Sequence, residues 1–417
     1  MRHDDPGPAG TSRRRAGVGA GAVAIGTLVA NILGYALFLV LNRQLEPDTL
    51  GAVASLLNLV IIASVAALST QLVGAWRVAN RRPQAHATVL RTGAAVGALI
   101  TGAVALLTPA LVPLLHLDGP VPVLLVAATM APAIMTAAVQ GVLQGDRRFV
   151  ALAASYVAAA AGRTIGGVTA AWLGWGVDGV MGLTALASWV TTAVILLLVR
   201  DHVGSSLGAG VPVHTRRVLT GMTGTSALLV ASTIDIPVAR NALSGSESGT
   251  YAVLGLFTKA AFWGPAFLAT VLYPGMTRTK GMRPLLLALA GTTGIVAAGI
   301  ALAAVLAEPL VRLAGGAAYA DEGSLVPVFT ALGGAWALAQ VLVYWGAAKG
   351  TYAVGYLVWV AAGVATLVVT TWRSGSVLEV STTFLLAAGT VVVIGSVLSV
   401  HRALSARRRA RTGPSPR

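Results

Sequence analysis

Asp235, Arg240 and Lys259 stand inside two long apolar runs, Val218 to Leu243 and Thr250 to Met276, and Arg163 stands inside a third, residues 149–173. A charge held at such depth in hydrocarbon costs at least a few kcal/mol, so it is normally paired within a helix bundle or set along a polar path. Two kinds of chemistry follow from these residue types. Three cations against one acid give a net charge of +2, which suits an anionic cargo. The single carboxylate, Asp235, is the candidate for taking up a proton or sodium ion and coupling a transport cycle to a gradient. Arg163, Arg240 and Lys259, with Asn31 as a neutral polar partner, are therefore the candidate substrate-binding residues. Asp235 and Lys259 also fit a second reading, a buried pair that only neutralises itself. Neither arginine has a second intramembrane acid available to it, which favours a cavity-lining role for both. Gly162 and Gly166 beside Arg163 suit close helix packing as well. Pro237 removes a backbone donor between Asp235 and Arg240 and marks a candidate hinge in that helix.

The elements that must position these groups are membrane helices. The 417 residues are 56% hydrophobic and only 10% charged. Nearly uncharged segments cover residues 17–41, 50–75, 92–115, 121–144, 149–173, 179–199, 218–243, 250–276, 285–307, 323–348, 350–372 and 380–400. Each is long enough to cross about 30 Å of hydrocarbon as a helix, and none shows the short alternating pattern of a membrane barrel. The expected fold class is an all-α integral membrane protein of twelve transmembrane helices.

Arginine and lysine set the orientation. With the first span leaving the cytoplasm, 23 of them fall on inner segments and only Arg43, Arg312 and Arg373 on outer ones. This positive-inside bias places both termini in the cytoplasm and the chain in the cell membrane. The net charge of +15 is thus a topology signal spread over short loops, and it excludes a folded nucleic-acid surface. The basic ends suit contact with anionic lipid headgroups. Cysteine is absent, which excludes thiolate metal sites and cysteine nucleophiles. The histidines lie in loops or at span ends with no acidic cluster, and no phosphate-binding loop is present, so no metal, cofactor, enzymatic activity or direct ATP drive is expected. The polar N-terminal residues and the long run after them read as a retained first span rather than a signal peptide.

The Gly- and Ser-containing segment 200–217 reads as a cytoplasmic linker between two halves of six spans, 17–199 and 218–400, with basic tails at 1–16 and 401–417. A weak internal repeat supports the division. Arg43 to Gly51 closes span one and Arg240 to Gly249 closes span seven, each with an Arg, a Leu, an acidic turn and a Gly that opens the next helix. Parallel repeats of this kind place a substrate site near the middle of the bilayer. The intramembrane polar residues Gln71, Gln140 and Gln340 suit interhelical bonding more than sugar binding. Tyr344, Trp345, Tyr352, Tyr356 and Trp359 read mainly as interfacial belt residues.

Three stretches carry a family resemblance. The segment Asn42 to Gly51, the segment from Asp235 through Gly249-Thr250-Tyr251, and Leu313 to Ala320 resemble turns of the oligosaccharide flippases, the polysaccharide-export branch of the multidrug/oligosaccharidyl-lipid/polysaccharide (MOP) exporter superfamily. The resemblance implies a MATE-like architecture and the translocation of a polyprenyl-pyrophosphate-linked oligosaccharide for cell-surface polysaccharide. It implies glycan polymerases or glycosyltransferases as partners. Two alternatives stay open, a MATE-type multidrug or cation antiporter and a non-transporting scaffold of a glycan-assembly complex.

Overall fold

The computed structural model describes residues 8–81, 84–203, 224, 226–266, 268, 272, 276–277, 281–372 and 375–412. The tail 1–7, linker residues 204–217, the start of span seven, parts of the end of span eight and the tail 413–417 lie outside the described residues. All regular structure among the described residues is helical, and ten of the helices are long and apolar enough to cross a membrane. The protein is a multi-pass membrane protein. Two of the twelve expected spans are missing from that set of ten. Span seven is broken, and the second half of span eight falls largely outside the described residues.

The chain divides into two compact units. The first holds residues 1–45, 63–113 and 117–218. Its helices are α1 (Pro8–Gln44), the later part of α2 (Pro47–Ala79), α3 (Ala85–Leu106), most of the short α4 (Thr108–Leu114), α5 (Val121–Gly145), α6 (Phe149–Trp172) and α7 (Gly176–Val203). Within it α1 packs on α6, α6 and α5 on α7, and α3 on α5. Small residues set these spacings. Gly93 and Gly97 of α3, whose interval alone identifies nothing, meet Ala138 and Ala131 of α5. Gly162 and Gly166 of α6 press against Thr191 and Leu183 of α7. With little hydrophobic drive between helices in lipid, such close backbone approach supplies much of the cohesion.

The second unit holds residues 46–62, 114–116 and 219–417. Two stretches from the first half of the sequence therefore belong to it, where the sequence reading divided the halves cleanly at 200–217. It contains the first part of α2, a helical stretch at 226–231, α8 (Asp235–Ala242), α9 (Gly245–Trp263), α10 (Arg283–Val305), α11 (Ala307–Gly315), a 3-10 segment (Ala317–Leu325), α12 (Val326–Ala348), α13 (Ala353–Thr371) and α14 (Val377–Thr412). The long α12 is the centre, packed against α9, α10 and α14. Gly333 and Gly334 let α9 and α10 approach it, and Tyr251 meets Phe329 edge to face at 4.8 Å.

Candidate functional site

A cavity of about 490 Å³ opens inside the first unit. It is lined by Thr27, Ala30 and Asn31 of α1, Ser64 to Gln71 of α2, Ala133 to Gln140 of α5, Tyr156 to Arg163 of α6, and Ser188 to Thr192 of α7. Among the described residues of that lining Arg163 is the one charged side chain, and no acid accompanies it. Its helix turns Gly162 and Gly166 toward α7, which leaves the guanidinium on the face that looks into the cavity. Arg163 is exposed there, and its recorded hydrogen bond runs from Nε to the Ala159 carbonyl at 3.3 Å. Asn31 on α1 is likewise exposed.

The rest of the wall is held by polar contacts between helices. Gln71 donates through Nε2 to Gln144 Oε1 at 3.0 Å and to the Tyr156 hydroxyl at 2.6 Å. Thr136 and Thr192 share a hydrogen bond at 2.8 Å. Pro132 in α5 has no N–H to offer the Ala128 carbonyl one turn back. Trp189 of α7 supplies the missing donor through its indole N–H at 3.0 Å, and Thr192 donates to the Pro132 carbonyl at 3.0 Å. One fixed cation and several amide and hydroxyl groups, set in a lining whose surface is mainly apolar, suit an anionic group carried on an amphiphilic body.

The other three candidate charges lie in the second unit and are buried. Asp235 opens α8, and its Oδ2 accepts from the Tyr251 hydroxyl at 3.2 Å, while Oδ1 has no hydrogen-bond partner among the described residues. Lys259 of α9 donates to Asn58 Oδ1 at 3.0 Å, and Coulombic attraction links it to Asp235. Neutral polar groups thus stand beside both members, in addition to the attraction between the two charges. Of the four candidate charges, Arg163 belongs to the first unit and the other three to the second.

Arg240 corrects the sequence reading most sharply. The expectation that it lacks an acidic partner fails, because Asp48 at the start of α2 accepts from its NH1 at 2.6 Å. NH1 also reaches Ser248 Oγ at 3.0 Å and the Asp48 carbonyl at 3.3 Å, Nε the Leu115 carbonyl at 2.9 Å, and NH2 the His116 carbonyl at 3.1 Å. Asp48 is a loop residue in sequence, so counting intramembrane acids overlooked it. Span seven breaks at residues 232–234, one turn before Pro237, and Thr233 is the carbonyl position four residues back that the proline ring leaves without a helical donor. His86 and Asp146 form a further unforeseen pair at 3.1 Å, joining the first turn of α3 to the C-terminal end of α5. Trp345, read as a belt residue, is buried with the Lys349 ammonium 4.6 Å above its ring.

No protein-family profile matches this sequence, and no curated protein does either. Solved structures do match. A multidrug resistance MATE family transporter of the MOP superfamily in an inward-facing conformation superposes with a TM-score of 0.71 at 16% identity, over 92% of this chain and 96% of the other. The fold is that of the MATE transporters of the MOP superfamily. An outward-facing MATE transporter gives a TM-score of 0.63 at 14% identity, over 93% of this chain and 94% of the other. A MOP superfamily transporter from Pyrococcus furiosus, described as having a binding pocket of reverse polarity that suggests a different function, gives 0.53 at 13% identity over 92% and 94%.

Proposed function

We propose that this chain is a MATE-type secondary transporter of the MOP superfamily, with both termini in the cytoplasm and an anionic cargo bound in the first-unit cavity. The observation that carries the proposal is Arg163, the one charge among the described residues that line the cavity, which include no acid. A cavity built for organic cations needs a carboxylate to offset their charge, and this lining offers repulsion instead. Within the class of anionic cargo, the resemblance in the turns at 42–51, 235–251 and 313–320 supports a lipid-linked oligosaccharide, whose pyrophosphate would meet Arg163 while sugar hydroxyls meet Asn31, Gln71 and Gln140. Asp235, buried with one oxygen unpaired among the described residues, is the residue we assign to ion coupling.

The second reading is multidrug export, which the solved neighbours support more strongly than they support flipping, since two of them are described as multidrug resistance transporters. The cavity charge is what sets the two apart. Purified protein in proteoliposomes carrying a pH or sodium gradient should move anionic amphiphiles and leave cationic dyes behind, and Arg163→Ala should lose the first activity. Cationic dye transport that survives Arg163→Ala would establish the multidrug reading. Mass spectrometry of lipid extracts from depleted cells then names the cargo: a polyprenyl-linked oligosaccharide accumulates if flipping is the function, and the pool stays constant if it is not.

A further inference from the structure

The two turns that form the internal repeat pack against each other inside the second unit. A Cβ on Gly51 of α2 would strike Ser248 Oγ and the backbone at Gly249, and a Cβ on Gly249 of α9 would strike the Pro47 carbonyl. Gly245 is closed in the same way by the Asp48 carboxylate. The contact is reciprocal, since each repeat's helix-opening glycine receives the other repeat's turn. At Gly249 no larger residue fits without moving backbone, and at Gly51 a larger residue displaces the Ser248 hydroxyl.

Arg240 fastens this crossing. Its guanidinium grips Asp48 and Ser248 on the two crossing helices and the carbonyls of Leu115 and His116 on a third segment. The third segment returns the grip. His116 Nδ1 lies 3.1 Å from the Arg240 carbonyl, and Asn241 Nδ2 donates to the Leu114 carbonyl at 2.8 Å. His116 itself has φ of 48°, a left-handed backbone that a non-glycine residue holds only when neighbours enforce it. Residues 46–62 and 114–116 are the two stretches of the sequence's first half that belong to the second unit, and Arg240 holds both.

We propose that this clamp is a releasable latch, a two-state element whose opening lets the turns at 46–51 and 114–116 part from α8 and α9 during the transport cycle. The location of the ion pair favours release over permanent burial: the Arg240 side chain is 4% exposed, but the Asp48 carboxylate that closes the clamp is 68% exposed and meets water on leaving. Use of the latch in transport rests on the function proposed above. Its existence does not, and the test needs no cargo.

The chain has no cysteine, so Glu46→Cys and Ser246→Cys, at exposed positions on the two turns, can carry a spin-label pair without background. In lipid nanodiscs the parent pair should give one dominant short distance. Asp48→Ala removes one charged hydrogen bond and should raise a longer-distance population about tenfold. Gly249→Ala should raise the same population, and Asp48→Glu should return it toward the parent. A distribution unchanged in both variants at parental thermal stability overturns the proposal. So does loss of fold in both, which would make the crossing a fixed staple.

Discussion

Arg163 and Arg240 occupy similar settings in the sequence, each a lone cation in a helix of small and apolar residues, and the protein treats them in opposite ways. Arg163 sits in an open cavity with one weak backbone bond to its own helix. Arg240 is enclosed and donates to five acceptors on three segments. The difference lies in where acceptors gather. Around Arg240 three turns converge, and turns are where carbonyls and an acidic side chain lack helical partners. Around Arg163 the neighbours are helix interiors whose carbonyls are already spent. A guanidinium whose donors the fold leaves mostly unused remains available to a ligand.

The comparison breaks most visibly by truncation. Arg240→Ala leaves the buried Leu115 carbonyl and Ser248 hydroxyl without this donor and frees the turns at Asp48 and His116, and should lower unfolding stability by about 3 kcal/mol, read as thermal unfolding of purified protein in detergent. Arg163→Ala leaves no such debt and should change stability by less than about 0.5 kcal/mol, while transport of anionic cargo falls roughly tenfold or more. Equal destabilisation of both variants would erase the distinction between a structural and a binding arginine.

The acid and lysine of the second unit sharpen the same contrast at a slightly smaller scale. Lys259→Met leaves Asp235 without its counter-charge and should cost about 2 to 3 kcal/mol. Adding Asp235→Asn should recover part of that loss, with a coupling energy of about 1 to 2 kcal/mol in a double-mutant cycle. Strict additivity would mean that Tyr251 and Asn58, not the opposing charge, neutralise each group.

Helix content, the membrane class and the positions of most spans were legible because hydrophobic run length is a local property. So was Arg163, which stands out against Ala and Gly neighbours. The fate of Arg240 was not legible. Its partner Asp48 is 192 residues away and in a turn, and nothing in either local sequence records that the two repeat turns cross. The break at 232–234 was legible in part, because Pro237 denies an N–H to the carbonyl of Thr233 four residues back, while the hydroxyls of Ser232 and Thr233, which bond the carbonyls of Leu229 and Val230, add to the bend there.

The smallest effect tests whether the cavity wall is built as firmly as the latch. Trp189→Phe removes the indole donor from the Ala128 carbonyl and should cost about 1 kcal/mol. That cost exists only because Pro132 cannot supply its own N–H. In a Pro132→Ala background the backbone amide is restored and can bond Ala128, so Trp189→Phe should become nearly neutral. A penalty that persists would mean that the indole stabilises α5 and α7 by packing alone. Loss of the penalty would show that this chain repairs a proline break beside its cavity with one side-chain donor. Around Arg240 the polar groups converge to hold a charge; around Arg163 they satisfy the wall and leave the charge free.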